Sequence, residues 1–212
     1  MKACVRHCRL HDFAPMKSKA IQLALTIALG LIFARSTEAG ELYKIDPTSS
    51  AIEFRVKQFL GTVKGKFTQF SGTLDFDREH PASSNVAATI QVRSIDTAIA
   101  KRDEHLRSAE FFNVAKYPEI TFQSKSVKQT GTDTGDIVGE LAMHGVKKEI
   151  TLHVKCLGPK AADAAQKSRW HVTAEPINRS EFGLVFSKTL ENVSMIGDIV
   201  TATMEIEAVK AK

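Results

Sequence analysis

The 212-residue chain has little cysteine, tryptophan or tyrosine, with three, one and two residues respectively. Cys4 and Cys8 precede an apolar run near the start, and Cys156 is the only cysteine after it, so no disulfide is expected beyond that run. Cys156 lies on the apolar phase of an alternating segment, which favours a small buried side chain over the alternative, a reactive thiol. A domain of about 170 residues can bury enough apolar surface without disulfide bonds.

The sequence also lacks recognisable catalytic motifs. It contains no Gly-x-Ser-x-Gly and no His-Glu-x-x-His, and residues 61–66 (GTVKGK) lack the spacing and the Ser/Thr of a phosphate-binding loop. The histidines after residue 40 are scattered, with no two at helical or hairpin spacing: His80, His105, His144, His153 and His171. We therefore predict no enzyme, no metal site and no catalytic cofactor.

No apolar run reaches the roughly 20 residues that a membrane-spanning helix needs. The longest such run, 20–34, follows Lys17 and Lys19 and precedes Thr37-Glu38-Ala39, which has small residues at the cleavage positions. We predict that residues 1–39 form a leader with a secretory signal peptide, cleaved after Ala39, and that residues 40–212 form the mature domain. An uncleaved membrane anchor is the alternative. Translation from Met16 rather than Met1 is a second open point.

The basic character of the chain comes largely from this leader. The whole chain has 29 Lys and Arg against 24 Asp and Glu, and residues 1–39 hold six of the former and two of the latter. The remaining 23 basic and 22 acidic residues give a net charge of only +1. This balance gives no general reason to expect a nucleic-acid partner.

Alternation of apolar and polar residues dominates the chain from Glu41 onward. Residues of one parity are apolar in successive runs, as in Ile52, Phe54 and Val56, in Ile150, Leu152 and Val154, and in the run from Val200 to Ala208. Each run predicts a half-buried strand. Turn residues separate the runs, with Gly61 and Gly65 bracketing a loop or hairpin and a polar insertion at 158–168. The pattern predicts an all-β antiparallel barrel or sandwich rather than a Rossmann-type sheet.

One segment departs from the strand pattern. Residues 99–113 contain good helix formers and neither Gly nor Pro, so we predict a helix there, capped by Asp96 or Thr97. Asp103 and Arg107 stand four residues apart and are expected to pair on its surface. A second short helical turn is expected over residues 178–183.

The same region combines polar and apolar side chains. Arg102, Asp103 and His105 are followed by Leu106, Phe111 and Phe112, which suits a protein that holds a long apolar molecule by a polar head. The chain is also rich in phenylalanine, which offers apolar surface without a hydrogen-bonding group. Composition alone leaves an ordinary core and a dry pocket as alternatives, and it favours the core.

These segments resemble the YceI-like, polyisoprenoid-binding family, and the resemblance covers residues 41–209. It rests on matches that follow one another in order: Tyr43-Lys44-Ile45-Asp46, Ile52-Glu53-Phe54-Arg55-Val56, Gly65-Lys66-Phe67, Phe70-Ser71-Gly72, Ser94-Ile95-Asp96-Thr97, Arg102-Asp103-Glu104-His105-Leu106, Phe111-Phe112, Tyr117-Pro118-Glu119-Ile120-Thr121-Phe122, Gly139-Glu140-Leu141, His144-Gly145-Val146 and Ile177-Asn178-Arg179-Ser180-Glu181-Phe182-Gly183. The resemblance implies an extended lipocalin-like, eight-stranded antiparallel barrel with a short helix over it. It also implies export to the periplasm and an elongated pocket for an isoprenoid lipid, either a polyprenyl lipid or a quinone. A membrane cytochrome of the b561 type is an implied partner, and both a monomer and a homodimer are open.

On this resemblance we expect two sets of ligand-binding residues. The predicted pocket lining is Phe54, Val56, Phe70, Leu74, Ile90, Val92, Leu106, Phe111, Phe112, Ile120, Phe122, Leu141, Met143, Leu152, Val154 and Phe182. The predicted head-group contacts are Gln58, Arg102, His105, His144 and Arg179. Many family members have a histidine where this chain has Gln58, and Phe59-Leu60 after it is more apolar than expected. A neutral amide can donate hydrogen bonds but cannot titrate near neutral pH.

A purely structural role is the alternative for several of these polar residues. Arg102 is equally suited to hold the helix on the barrel rim, and Asp103 is better suited to that role because a carboxylate repels phosphate. His144 and Arg179 are more simply explained by bonds to the backbone. At the level of function, a carrier of an isoprenoid lipid is the first hypothesis and a secreted stress-response or interaction protein without an obligate ligand is the second. An enzyme acting on a quinone or an isoprenoid amide would need His105 or His144 to face the pocket with an acid behind it.

Overall fold

A computed structural model describes residues 40–77, 79–158, 166–186 and 196–211. The predicted leader, residues 159–165 of the polar insertion and residues 187–195 lie outside this part of the chain. Its strands are β1 (Glu41–Ile45), β2 (Ala51–Gln58), β3 (Gly61–Phe67), β4 (Phe70–Phe76), β5 (Asn85–Gln91), β6 (Ile95–Asp96), β7 (Glu119–Gln129), β8 (Thr134–Met143), β9 (Val146–Cys156), β10 (Lys167–Ala174), β11 (Ile177–Asn178) and β12 (Ile199–Lys210). The α-helix, α1, is Ala100–Arg107, and single 3₁₀ turns cover Pro81–Ser83, Val92–Ser94 and Arg179–Phe182.

Strand pairing closes the sheet into a barrel. β1 and β2 run in the same direction along one edge of β12, with Tyr43 opposite Lys210 and Ala51 opposite Glu205, so together they act as one interrupted strand. The pairs β3–β4, β5–β6 and β10–β11 are interrupted in the same way along their neighbours. The twelve described segments therefore form eight antiparallel strands. Each pairs with the next along the chain, and the last closes on the first.

The interior of the barrel is formed by the side chains that the alternation of apolar and polar residues predicted to face inward. In β8, every second residue from Gly135 to Met143 is buried, and the inward positions of β9 include Ile150, Leu152 and Val154. Cys156, on the same phase of β9, is half-buried and unpaired, which agrees with a small packed side chain. The contacts of the chain divide it into residues 1–38 and 39–212, and the second unit contains the whole barrel and its core. No helix among the described residues is long and apolar enough to span a membrane.

Two glycines in the strands make room for aromatic rings. A methyl group at Gly65 would overlap the ring of Phe54, which lies opposite it on β2, and a methyl group at Gly139 would overlap the ring of Phe122. Gly65 therefore lies within β3 and packs against an inward-facing ring, rather than bordering a turn. The turn of this hairpin is formed instead by Phe59 and Leu60.

The helix is shorter than predicted. α1 ends at Arg107, where Ser108 takes an extended conformation, and Phe111 and Phe112 lie in the turns that follow. Both rings are buried, and the backbone N–H of Phe112 donates to the carbonyl of Leu106. Burial of these two rings against the barrel outweighs the helix propensity of the sequence that carries them.

The predicted contacts of the helix are also different in the structure. Ile99 is the residue before the first helical turn and supplies no side-chain cap, while Asp96 accepts from the backbone N–H of Ala98. Asp103 does not pair with Arg107. The Asp103 carboxylate is buried and accepts from the backbone N–H of Thr97 at 2.9 Å, whereas Arg107 donates to the carbonyls of Arg93 and Ile95.

The second helical turn is confirmed. The Asn178 side chain accepts from the backbone N–H of Ser180 at 3.1 Å, and the turn ends at Gly183, whose φ of 72° suits glycine.

Candidate functional site

The barrel encloses a cavity of about 760 Å³, a size typical of small-molecule sites. Its wall is formed by the inward side chains of the strands together with α1 and the turns after it. Residues that line it are Ile45, Ile52, Glu53, Phe54, Val56, Val63, Phe67, Thr73, Leu74, Phe76, Ser84, Val86, Ala88, Ile90, Ile95, Ile99, Lys101, Arg102, His105, Leu106, Phe111, Phe112, Ile120, Phe122, Val127, Ile137, Leu141, Met143, Ile150, Leu152, Val154, Trp170, Val172, Ala174, Ile177, Arg179, Leu184, Phe186, Ile196, Val200, Ala202, Met204, Ile206 and Ala208. An almost continuous apolar wall of this kind is suited to a hydrocarbon chain.

Most of the charged side chains in the wall lie at one end of the barrel, which we call the α1 end. There Lys101, Arg102 and His105 project from the helix, and Arg179 comes from the turn after β11. This arrangement brings together three of the five predicted head-group residues: Arg102, His105 and Arg179.

His105 is held in a stack of aromatic rings. Its imidazole lies parallel to the ring of Phe186 with 5.9 Å between centroids, and Phe186 also stacks on Phe111 at 4.4 Å. The Nδ1 atom of His105 is 3.5 Å from a carboxylate oxygen of Glu110, whose side chain is 76% exposed. The acid behind the histidine that an enzyme would require is thus present, but as a long contact with a well-solvated carboxylate.

Arg102 is partly engaged by the protein. Its Nε donates to the hydroxyl of Thr97 and one Nη donates to the Thr97 carbonyl, both at 2.7 Å. These bonds use one edge of the guanidinium and join the helix to the segment before it. The other Nη amino group has no acceptor among the described residues. The structure thus supports the role of Arg102 in holding the helix, and contact with a head group stays a prediction.

Arg179 has a structural role in the cavity wall. It is 3% exposed, and its guanidinium donates to the carbonyls of Leu184, Ile196 and Gly197 and pairs with Asp198 at 2.9 Å. Phe186 lies beneath the guanidinium at 5.2 Å. Because its donors are directed at backbone carbonyls on two chain segments, Arg179 fixes the geometry of the α1 end rather than offering a charge to a ligand.

Two predicted head-group residues lie away from the cavity wall. Gln58 is exposed at the end of β2, where the hairpin extends beyond the barrel. His144 occupies the turn between β8 and β9 with a φ of 53°; its Nδ1 is 3.0 Å from the Phe182 carbonyl and its ring packs edge-on against Tyr117. The turn role of His144 is the one the structure supports.

Thirteen of the sixteen residues predicted to line the pocket do so, and three do not. Phe70 is buried at the start of β4 outside the cavity, and Val92 lies in a 3₁₀ turn that interrupts the alternation after β5. Phe182 is the last residue of the turn at Arg179–Phe182 and is buried outside the cavity wall. The lining residues that the prediction missed include Phe76, Trp170, Phe186 and the inward face of β12. The parity of β12 was visible in the sequence, whereas the position of Phe186 depends on its contacts with Phe111 and His105.

The opposite end of the cavity contains a different pair of polar groups. The indole N–H of Trp170 is buried and has no hydrogen-bond acceptor among the described residues, and its ring meets Phe76 edge to face at 5.4 Å. The hydroxyl of Ser84, also in the wall, accepts from the backbone N–H of Asp77. Within the described part of the chain, no three His, Cys, Asp or Glu side chains are grouped so that they could hold a metal ion.

Known proteins are similar to this chain in sequence and in architecture. A profile of the YceI-like domain matches residues 43–208. Protein YceI of Escherichia coli O17:K52:H18 is 45% identical over 140 residues, which is 64% of this chain and 72% of that protein. The crystal structure of BcnA from Burkholderia cenocepacia superposes with a TM-score of 0.69 at 23% identity, covering 77% of this chain and 98% of BcnA. A polyisoprenoid-binding domain from Saccharophagus degradans superposes with a TM-score of 0.61 at 22% identity, covering 80% and 98%.

Proposed function

The chain belongs to the YceI-like family, and we propose that it is a periplasmic carrier that holds a long-chain isoprenoid lipid, of polyprenyl or quinone type, in its barrel cavity. The observation that carries this proposal is a cavity of about 760 Å³ whose wall is apolar along most of its length and cationic at the α1 end. Such a site matches a molecule with a hydrocarbon chain and a polar head. Export with cleavage after Ala39 belongs to the same proposal.

Affinity would come mainly from burial of the isoprenoid chain. Removing apolar surface from water contributes about 25 cal/mol per Å² before the cost of ordering the ligand. Because a hydrocarbon chain makes no directional bonds, the site would accept several chain lengths. The structurally similar domain from Saccharophagus degradans is described as polyisoprenoid-binding, which is consistent with this chemistry for the barrel.

The head group would lie at the α1 end. The unengaged Nη amino group of Arg102 and the imidazole of His105 are polar groups in the wall there, suited to meet a phosphate or a quinone carbonyl. Gln58 lies outside the wall, so its replacement of the family histidine would not set the head-group preference. A b561-type cytochrome as the partner of a quinone-loaded form remains a prediction from the resemblance.

The test is mass spectrometry of residues 40–212 purified from a periplasm without detergent, first as the intact complex and then after extraction with organic solvent. We expect one prenyl species per protein. Phe122→Asp should abolish retention by placing a charge on the wall, and Ala202→Phe should reduce it by filling the cavity. Thr201→Phe, on the exposed outer face of the same strand, is the matched control and should retain the lipid.

A folded protein that is isolated empty and also refuses added polyprenyl lipids and quinones would overturn the proposal. Such a result would favour an interaction protein without an obligate ligand. Retention of lipid by folded Phe122→Asp and Ala202→Phe would show that the molecule binds elsewhere.

A further inference from the structure

The β2–β3 hairpin carries two of the most exposed apolar side chains in the described structure. Phe59 is 72% exposed and Leu60 is 90% exposed, and together they form the turn between Gln58 and Gly61. Isolated apolar residues on a surface are common, but two large ones side by side at a projecting tip leave most of their surface in water. Polar residues in this turn would be better hydrated than Phe59 and Leu60.

Exposed apolar residues are concentrated at this end of the barrel. Seven large apolar side chains are exposed among the described residues. Five lie at the α1 end, namely Phe59, Leu60, Ile99, Val185 and Ile199, and two lie at the opposite end, Leu42 and Leu157. Ile99 is also part of the cavity wall. The apolar surface is therefore next to the end of the cavity that carries Arg102 and His105.

The outer face of the same hairpin is strongly basic. Residues 51–67 contain four basic side chains, Arg55, Lys57, Lys64 and Lys66, and a single acidic one, Glu53, a net charge of +3. All five are exposed, and Arg55 lies opposite Lys64 in the strand pairing. Lys66, the basic residue farthest from the tip, pairs with Asp96 at 3.7 Å. Since residues 40–212 together carry only +1, the remainder of the domain has a net charge of −2, so the hairpin carries an excess of positive charge beside the apolar tip.

The hairpin also connects this surface to the cavity. Val56 and Val63, which face each other across the two strands, line the cavity, and the tip lies three residues further along each strand. At about 3.3 Å per residue, the tip projects about 10 Å beyond that pair. This reach matches the depth of about 5–10 Å to which apolar faces enter the headgroup region of a bilayer.

We propose that the β2–β3 hairpin is a membrane-docking element, in which Phe59 and Leu60 insert into the surface of an anionic bilayer and Arg55, Lys57 and Lys64 bind its lipid headgroups. Apolar insertion and basic attraction are the two contributions that hold peripheral proteins on membranes, and this hairpin offers both. Docking in this orientation places the α1 end of the cavity against the bilayer. It goes beyond the proposed carrier function, because it requires a membrane surface but no particular ligand in the cavity.

The test is flotation of the barrel unit, residues 39–212, with vesicles of phosphatidylcholine alone and of phosphatidylcholine mixed with phosphatidylglycerol. The leader is omitted because its apolar run would bind vesicles by itself. We expect binding to the anionic vesicles, weakened by added salt, and little binding to phosphatidylcholine alone. Phe59→Ser/Leu60→Ser should lower the partition coefficient on the order of tenfold, and Lys57→Gln/Lys64→Gln should lower it roughly fivefold per lysine.

The matched control is Leu42→Ser/Leu157→Ser, which removes the two exposed apolar side chains of the opposite end. It should bind anionic vesicles like the unmodified barrel. Failure of the unmodified barrel to float, or equal losses in the control and the tip variant, would overturn the proposal. A barrel that stays off vesicles and is a dimer dispersed by the tip substitutions would assign the tip to self-association instead.

A direct readout of insertion uses a single fluorophore. In a Leu60→Trp/Trp170→Phe variant, the emission should shift to shorter wavelength when anionic vesicles are added, and an unchanged spectrum would contradict insertion. Lipid retained in the cavity is measured by mass on the same preparations. Loss of docking can therefore be distinguished from loss of cargo binding.

Discussion

The ring of Phe54 on β2 occupies the space that a side chain at Gly65 on β3 would need. Phe54 also packs against Phe67 with 5.5 Å between ring centroids and lines the cavity, so its position sets part of the cavity's cross-section. Glycine at position 65 is what allows this ring to lie close against the neighbouring strand.

Gly65→Ala is expected to push the Phe54 ring into the cavity. The fold should survive with a loss of about 1–3 kcal/mol in the free energy of unfolding, because the ring can move. The amount of lipid retained per protein, measured by mass spectrometry, should fall strongly although the fold survives. Gly65→Ala/Phe54→Leu should restore retention, and a double variant that binds no better than Gly65→Ala would show that the clash is not the cause.

Removal of the buried carboxylate of Asp103 should loosen α1. Asp103 accepts from both the backbone N–H and the hydroxyl of Thr97, so Asp103→Ala leaves these donors unpaired. The substitution should lower the free energy of unfolding, measured with urea, by about 1–3 kcal/mol. Hydrogen exchange of residues 97–107 should rise more than that of β7–β9. Glu104→Ala, an exposed substitution on the same helix, is the control and should change neither quantity.

Arg102 and Arg179 should respond differently to substitution, although both line the cavity. Arg179→Gln leaves the carbonyls of Leu184, Ile196 and Gly197 without their charged donor, and we expect a loss of about 3 kcal/mol or more in unfolding free energy. Arg102→Gln should cost less stability and should weaken binding of a phosphate-headed or quinone-headed lipid. Equal effects of the two substitutions on ligand affinity would contradict the division of roles.

Trp170→Phe tests the orientation of the ligand. With the head group at the α1 end, loss of the buried indole N–H should change lipid affinity by less than about threefold. This change is well below the roughly 1.4 kcal/mol that corresponds to a tenfold loss of affinity. The substitution should also cost little stability, since it removes an unpaired buried donor along with apolar surface. A large loss of affinity in Trp170→Phe, with none in Arg102→Gln, would place a ligand oxygen at the Trp170 end.

Stability should decline on the acid side through two surface carboxylates. The hydrogen bond and the charge of Lys148 hold the pKa of Glu181 below its ordinary value of 4.5, and those of Lys147 do the same for Glu140. A pKa that is lower in the folded state stabilises the fold above the unfolded pKa, and this contribution is lost as pH falls through the folded pKa. We therefore expect these groups to add no pH dependence of stability near neutral pH. Their stabilisation should be lost as the pH falls below the ordinary value of 4.5 and through the lower pKa of the folded state.

NMR titration of the glutamate side chains measures this directly. Lys148→Met should raise the pKa of Glu181 toward its ordinary value and leave that of Glu140 unchanged, and Lys147→Met should do the reverse. If neither pKa moves, the two lysines are not the cause of the shifts.

The strands of the barrel could be predicted because their determinants are local. Period-two alternation identifies the inward face of each strand in the sequence itself, and turn residues mark where strands end, so residues such as Leu152 and Val154 are assigned to the interior without any knowledge of their neighbours. The same pattern identified the inward apolar side chains, and the family resemblance supplied the expectation that they line a pocket. The alternation fails where a 3₁₀ turn changes the parity, as at Val92.

The polar part of the site was decided by the tertiary structure. Asp103, His144 and Arg179 are all charged or polar residues in turns or on a short helix, and nothing in their local sequence tells which will be buried. Burial of an ionisable group depends on partners brought from distant segments, since a charge leaves water only where donors or acceptors replace its hydration. The sequence by itself thus determined the strands and their apolar faces, because both depend on local alternation. Only the folded chain decided that the sheet closes around a cavity, which side chains hold its α1 end together and which face a ligand or a membrane.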